Sequence, residues 1–197
     1  MVSTSVVTAA LKEWAVAVDA LAQAETIVLL RKGGIREQAF AVTQSRFWLY
    51  PTYEHQKPAL LKPEFASRAM LMTHPEPEAI KISAWAEVTH SFQISEPAAI
   101  GALLLFHIWT AEFVSERLKW KPRLPLAVLL LRTYCLVQPQ LIPYRSEYGG
   151  CRSWVTLEIP PDMAAAIPVL SEADYLQQVQ TVTGLIERLD QHPSHSP

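Results

Sequence analysis

Cysteine is scarce: Cys135 and Cys151 are the two in 197 residues, and their separation matches neither a zinc or redox motif nor a disulfide framework. A reducing cytoplasm is therefore the expected location. Long apolar runs are missing too. No stretch reaches the ~20 residues that a membrane span requires, and the N-terminus has no basic region leading into a continuous apolar segment, so a soluble protein without membrane contact is expected. Excess charge of either sign is absent. A formal net charge of −2 and an isoelectric point near 6.3 exclude sequence-blind binding to duplex nucleic acid through overall charge, but they leave room for a local basic patch. Catalytic signatures are lacking as well. The nuclease pattern of Asp followed by Glu-x-Lys does not occur, since Glu87-Val88-Thr89 lacks the lysine, and no histidine pair has zinc-protease spacing. Neither a metal nor a cofactor is implied.

What is present is a chain 50% hydrophobic and 18% charged, enough for one sizeable core. A single globular domain over residues 1–190 is expected, followed by a disordered tail at 191–197. The 15 prolines are spread among elements and mark no linker.

The most informative stretch runs from Arg31 to Gln56. Glu25 to Leu30 is apolar and β-branched, and Gly33-Gly34 follows Lys32, which predicts a hairpin that pairs Lys32 with Ile35 and Arg31 with Arg36. Two opposed arginines repel unless water screens them or an anion sits between them. Further on, alternation places Trp48 and Tyr50 on one face of a strand beside Arg46. That face is either a stacking platform for a base or part of the core. Glu54 and His55 follow as candidate carboxylate and general base.

Elsewhere, Leu11, Trp14, Val18 and Leu21 have the spacing of one helical face and predict a helix over Ser5 to Gln23, leaving Lys12 and Glu13 solvated. A short helix is expected near Glu64 to Met72. Ile80 to Ile94 alternates as a half-buried strand, with Trp85 and Glu87 on its polar face and His90 as a hydrogen-bonded residue on its apolar one. Thr110 caps a helix bearing Glu112 and Glu116. Leu126 to Val137 predicts a strand covered on both faces and interrupted by Arg132, whose guanidinium requires Glu87, Glu112 or a bound anion. A loop from Gln138 to Gly150 leads to a last strand, Cys151 to Ile159, with Arg152, Trp154 and Thr156 on one face. Ser171 and Asp174 then cap an amphipathic C-terminal helix.

Five ordered blocks carry a resemblance: Leu11-Lys12-Glu13-Trp14-Ala15, Leu29 to Ile35, Tyr50 to Gln56, Trp120-Lys121-Pro122 with Leu129 to Arg132, and Tyr148 to Trp154. Together they resemble a bacterial family of unknown function, frequent in cyanobacteria. The resemblance implies bacterial origin and a cytoplasmic location, and no activity. The first strands are also similar to those of Nudix hydrolases, but the Arg-Glu and Glu-Glu carboxylates that would hold magnesium there are absent.

These patterns predict an α+β fold: a largely antiparallel, curved sheet or partly open barrel with flanking helices, by analogy PUA-like. The expected function is a binding module for a phosphorylated ligand such as RNA, single-stranded DNA or a nucleotide. Arg31, Lys32, Arg36 and Arg132 would meet phosphate, and Trp48, Tyr50 and Trp154 would offer stacking surfaces. The alternative is a metal-dependent hydrolase or nuclease using His55 with Glu54 and Glu87. The sequence fixes neither catalysis nor an oligomeric state.

Overall fold

The structure, a computed structural model, describes residues 6–33, 40–72 and 78–191. Seven strands form one strongly curled, half-barrel sheet: β1 (Ala9–Trp14), β2 (Val28–Arg31), β3 (Arg46–Thr52), β4 (Ala79–Ile94), β5 (Leu126–Pro143), β6 (Trp154–Thr156) and β7 (Ala166–Pro168). Their order is β2-β5-β4-β3-β1-β6, and β7 also pairs with β5. Only β1 and β3 run parallel. Among the described residues, five α-helices accompany the sheet: α1 (Ala15–Ala22), α2 (Pro63–Leu71), α3 (Pro97–Ala102), α4 (Ala111–Lys119) and α5 (Glu172–Gln191). The fold is thus α+β on a largely antiparallel curved sheet, as expected.

The helix expected over Ser5 to Gln23 is divided between β1 and α1. Ala10 and Leu11 pair with Trp48 and Leu49 of β3 and are buried on opposite faces of the sheet. Such a two-sided strand shows no alternation, and strand pairing outweighs the weak helical preference of the segment. The helix begins only at Ala15, where Gln56 Oε1 accepts from the Val16 amide at 3.0 Å. Its residues are buried almost all round, which is the pattern of an interior helix.

β2 lies against β5, with Arg31 opposite Ala127. No strand begins between Phe40 and Ser45 to complete a hairpin. Arg36 and Ile35, which the hairpin would have paired with Arg31 and Lys32, lie outside the described residues.

The predicted alternating strand is β4, but register shifts at Ile82/Ala84 and Val88/His90 change its facing. Ile80 and Ile82 join a core that contains Trp48 and Tyr50, whereas Ala84 and Ala86 join the larger core beneath the helices. Each shift re-aims the side chains that follow it, as a bulge does. His90 consequently ends up exposed, with Nδ1 2.9 Å from Thr89 Oγ1, and is not on the apolar face.

Two helix starts are as the caps require. Thr110 Oγ1 accepts from Phe113 N at 3.3 Å, and Ser171 and Asp174 bond reciprocally before α5. The strand from Leu126 continues through Gln138 to Pro143, where a loop was expected, and the last expected strand shrinks to Trp154–Thr156.

Candidate functional site

A cavity of about 220 Å³ opens where the ends of β1 and β2 meet α4 and the loop before β6. Local folding explains the convergence. β6 pairs with β1 through Leu11 and Trp154, and Lys12 N donates to Ser153 O at 2.8 Å, which holds residues 151–153 beside Glu13 and Trp14. Lys12 Nζ donates to the carbonyls of Tyr148 and Gly150 at 2.7 and 2.9 Å, clamping the preceding turn. Gly150 there has φ +77°, a conformation that favours glycine. Opposite, Trp120 Nε1 reaches Gly33 O at 3.4 Å and ties the end of α4 to the end of β2.

Among the described residues, four cationic side chains line this cavity, Arg31, Lys32, Arg117 and Arg152, together with one carboxylate, Glu13. Arg31 and Glu13 are an ion pair at 2.6 Å, with side chains 15% and 7% exposed. The second Glu13 oxygen accepts from Trp14 N at 2.8 Å. Glu13 is therefore satisfied without the other three cations.

Lys32 is buried, and its Nζ donates to the Leu118 carbonyl at 3.2 Å, near the C-terminal end of α4, where the helix dipole favours a cation. Burial pushes its pKa down. Arg117 stands over the Phe113 ring at 4.9 Å. Burial lowers its pKa as well, with Glu13 opposing that shift and Arg31 adding to it. The lining also includes Trp14, Trp109 and Trp120, and the Trp109 Nε1 is buried without a partner among the described residues.

A second cavity of about 350 Å³ adjoins the first and shares Trp14, Arg117 and Trp120 with it. His55, Lys57 and Glu116 complete its polar wall. His55 adopts φ +66°, which is uncommon for a residue with a side chain.

Of the residues expected to bind ligand, Arg31 and Lys32 line the first cavity, Arg36 is outside the described residues, and Trp48, Tyr50, Arg132 and Trp154 lie elsewhere; His55, expected as a catalytic base, lines the second cavity. Trp48 is fully buried, its Nε1 donating to Val7 O at 2.9 Å, and Tyr50 packs edge-on against Tyr148. Both are core residues and present no stacking surface, because β3 is covered on both faces. Trp154 donates to Ala41 O at 3.0 Å and packs on Phe40 and Phe47. Arg132 pairs with Glu172 of α5 and lies over Tyr134 and Tyr175, so its partner is neither Glu87 nor Glu112. Glu87 instead pairs with Arg46 at 3.3 Å.

Glu54 and His55 share an exposed turn after β3, whereas Glu87 sits opposite Arg46, the first residue of that strand. About 20 Å of strand separates them. The three do not form one centre, and among the described residues no group of three His, Cys, Asp or Glu is placed to hold a metal ion.

Sequence reasoning missed Glu13, Trp14, Arg117, Trp120 and Arg152 as cavity residues. The available signal was the set of family-like blocks. Four of the five contribute to the first cavity, and the remaining one, Tyr50 to Gln56, supplies His55 to the second.

The chain belongs to the family described as a domain of unknown function, DUF1802, whose model matches residues 10–181. A search of curated proteins finds no match. Among solved structures, the crystal structure of ASCH from Zymomonas mobilis has a TM-score of 0.45 and 13% identity over 88% of this chain and 93% of that one. A serine-to-alanine mutant of that protein gives a TM-score of 0.37 and 14% identity over 88% of this chain and 94% of its own.

Proposed function

We propose that the protein is a binding module for a phosphorylated ligand of the nucleotide or single-stranded nucleic-acid class, held in the cavity between Arg31 and Arg152. The observation that carries this reading is the excess of cations over carboxylates in the lining, within a chain of net charge −2. A field opposite in sign to the whole molecule attracts anions locally and leaves the overall surface unattractive to bulk nucleic acid. At an effective dielectric near 20, one cation about 4 Å from an anionic oxygen contributes roughly 4 kcal/mol of Coulomb attraction before desolvation. Arginine suits this role because its fork of donors matches phosphate oxygens.

Arg31 and Arg117 have different tasks in this reading. Arg31 neutralises Glu13 and shapes the wall, whereas Arg117 and Arg152 meet the ligand. Lys32 adds charge from behind. The Trp walls exclude water and strengthen each contact.

The test is a double Arg117→Met, Arg152→Met variant against a labelled RNA oligonucleotide at several salt concentrations. Wild-type affinity is expected to fall with salt by a log–log slope near −0.7 per phosphate contacted. The double variant should lose at least about tenfold in affinity at low salt and show a shallower slope, with the melting temperature little changed. Unchanged affinity and slope would remove the basis for this site.

A further inference from the structure

Resting on that reading, we infer that the adjoining cavity is a ring-binding subsite for the same ligand, so that the bound unit is a nucleotide and not a bare phosphoryl group. Size comes first. The first cavity, about 220 Å³, is below the ~300–1,000 Å³ typical of ligand pockets, and the two cavities together fall inside that range. A phosphate fills only part of the two neighbouring spaces.

Charge divides the two in the same sense. The first holds the cationic excess. The second is lined by His55, Lys57 and Arg117 together with Glu116, giving a mixed wall with both donors and an acceptor. Such a wall suits the hydroxyls of a sugar and the edge of a base better than a second phosphate. Glu116 accepts from a hydroxyl or an exocyclic amine, and Lys57 donates to a ring acceptor.

The shared wall supplies stacking. Trp14 and Trp120 line both cavities, and Trp120 keeps 42% of its surface exposed although its Nε1 is anchored on Gly33 O. An exposed indole held at its polar edge is a preorganised platform for a base. Lys121 Nζ lies over that ring, 5.9 Å from its centre.

The turn carrying His55 is built for position. Gln56 is bonded to the first turn of α1 at 3.0 Å, while His55 on one side and Lys57 on the other line the cavity. His55 holds φ +66°, a strained conformation for a residue with a side chain and one found where position matters more than strain.

Titration calorimetry with inorganic phosphate, ribose 5-phosphate, adenosine monophosphate and a short RNA tests this. The monophosphate should bind at least about tenfold more tightly than ribose 5-phosphate, in line with the stacking of one base. Trp120→Leu should bring the two within about threefold of each other. Because that change also breaks the anchor on Gly33, His55→Gly is the companion variant. It relieves the backbone, should melt no lower than the wild type, and should lower affinity for the monophosphate at least about threefold while sparing phosphate. Short RNA binding no tighter than the monophosphate points to a free nucleotide, and tighter, salt-dependent binding points to a strand; either supports the subsite. Phosphate and ribose 5-phosphate binding as tightly as the monophosphate would overturn the subsite and leave the basic cavity standing. No binding of any of the four, RNA included, would overturn both.

Discussion

Two regions of this molecule carry the same kinds of side chain in different proportions. In the first cavity, Arg31, Lys32, Arg117 and Arg152 stand among tryptophans with Glu13 as the one carboxylate among the described residues. Elsewhere on the sheet, Arg46 of β3 and Arg132 of β5 stand among Trp85, Tyr134 and Tyr175, and each arginine has its own carboxylate, Glu87 or Glu172. Trp85 stacks on Tyr134 with ring centres 4.0 Å apart, which closes the space a ligand ring would need. Aromatic and basic composition is common to both regions. What separates the cavity from the paired cluster is the ratio of cations to carboxylates among the described residues, and an indole, that of Trp120, which stays 42% exposed.

The most severe way to probe that difference is Arg31→Met. Glu13 would be left buried and unpaired, so a loss of roughly 3–5 kcal/mol in urea unfolding is expected, far more than for either Arg46 or Arg132. A loss below about 1 kcal/mol would mean that the pair contributes no more than a surface contact.

The two regions must be compared above the pH at which the whole fold weakens. His107 is buried, its Nδ1 accepts from Trp109 N at 3.3 Å, and its Nε2 has no partner among the described residues. Burial, with Lys62 adding to it, lowers its pKa from 6.5 to about 4. The unfolded chain therefore takes up this proton first as pH falls. The contribution is complete above pH ~6.5 and is lost progressively down to about pH 4, amounting to about 3 kcal/mol. Glu25 behaves separately. Its hydrogen bond to Arg68 lowers its pKa from 4.5, so its contribution is lost only below that value. Stability measured from pH 7 to 4.5 should slope downward in the wild type and be nearly flat in His107→Gln.

Much of the fold was readable where the signal is local. Ile80 to Ile94 alternates, Thr110 and Ser171 have capping partners three residues on, and the Arg-Lys pair beside Gly33 marks a cavity wall. The unread part is long-range. The apparent helical stripe of Leu11 and Trp14 hid a two-faced strand and left Lys12 and Glu13 looking solvated, although one clamps a turn and the other neutralises Arg31. The β4 register shifts are invisible in a periodic pattern, and they move His90 to the surface. Arg117, Trp120 and Arg152 are far from Arg31 in sequence and meet it only through the β1–β6 pairing and the packing of α4. Arg132 was rightly judged to need an acceptor. Its partner, Glu172, stands 40 residues further along the chain at the start of α5, beyond the reach of any local pattern.

Arg117 gives the test that sharpens the comparison most directly. Its guanidinium has an aromatic ring beneath it and no hydrogen-bonded carboxylate among the described residues. Arg117→Met should retain the stem packing on Phe113, change stability by less than about 1 kcal/mol, and reduce RNA affinity at low salt about tenfold. Arg117→Lys should restore part of the affinity, because charge is kept while the two-pronged contact is lost. A large loss of stability would place Arg117 with the structural arginines.

The smallest effect is expected from Arg132→Met, and its size depends on the exposure of the partner. Arg132 itself is 18% exposed, but Glu172 is 64% exposed and stays hydrated when the guanidinium is removed. The usual penalty for breaking a buried ion pair therefore does not apply, because no carboxylate is stranded away from water. The Arg132 Nε, buried without a partner among the described residues, is removed by the same change, which offsets part of the loss. What disappears is a half-solvated ion pair and the contact of the guanidinium with Tyr134 and Tyr175, at 5.7 and 5.4 Å from the ring centres. Such contacts contribute about 0.5–1 kcal/mol each at partly exposed positions. Methionine can still fill the space of the aliphatic stem against the two tyrosines. A loss of about 1 kcal/mol in unfolding, with affinity and salt slope for RNA equal to the wild type, is expected. A shallower salt slope in this variant would mean that phosphate reaches Arg132, and the division between a paired cluster and an open cavity would fail at that residue.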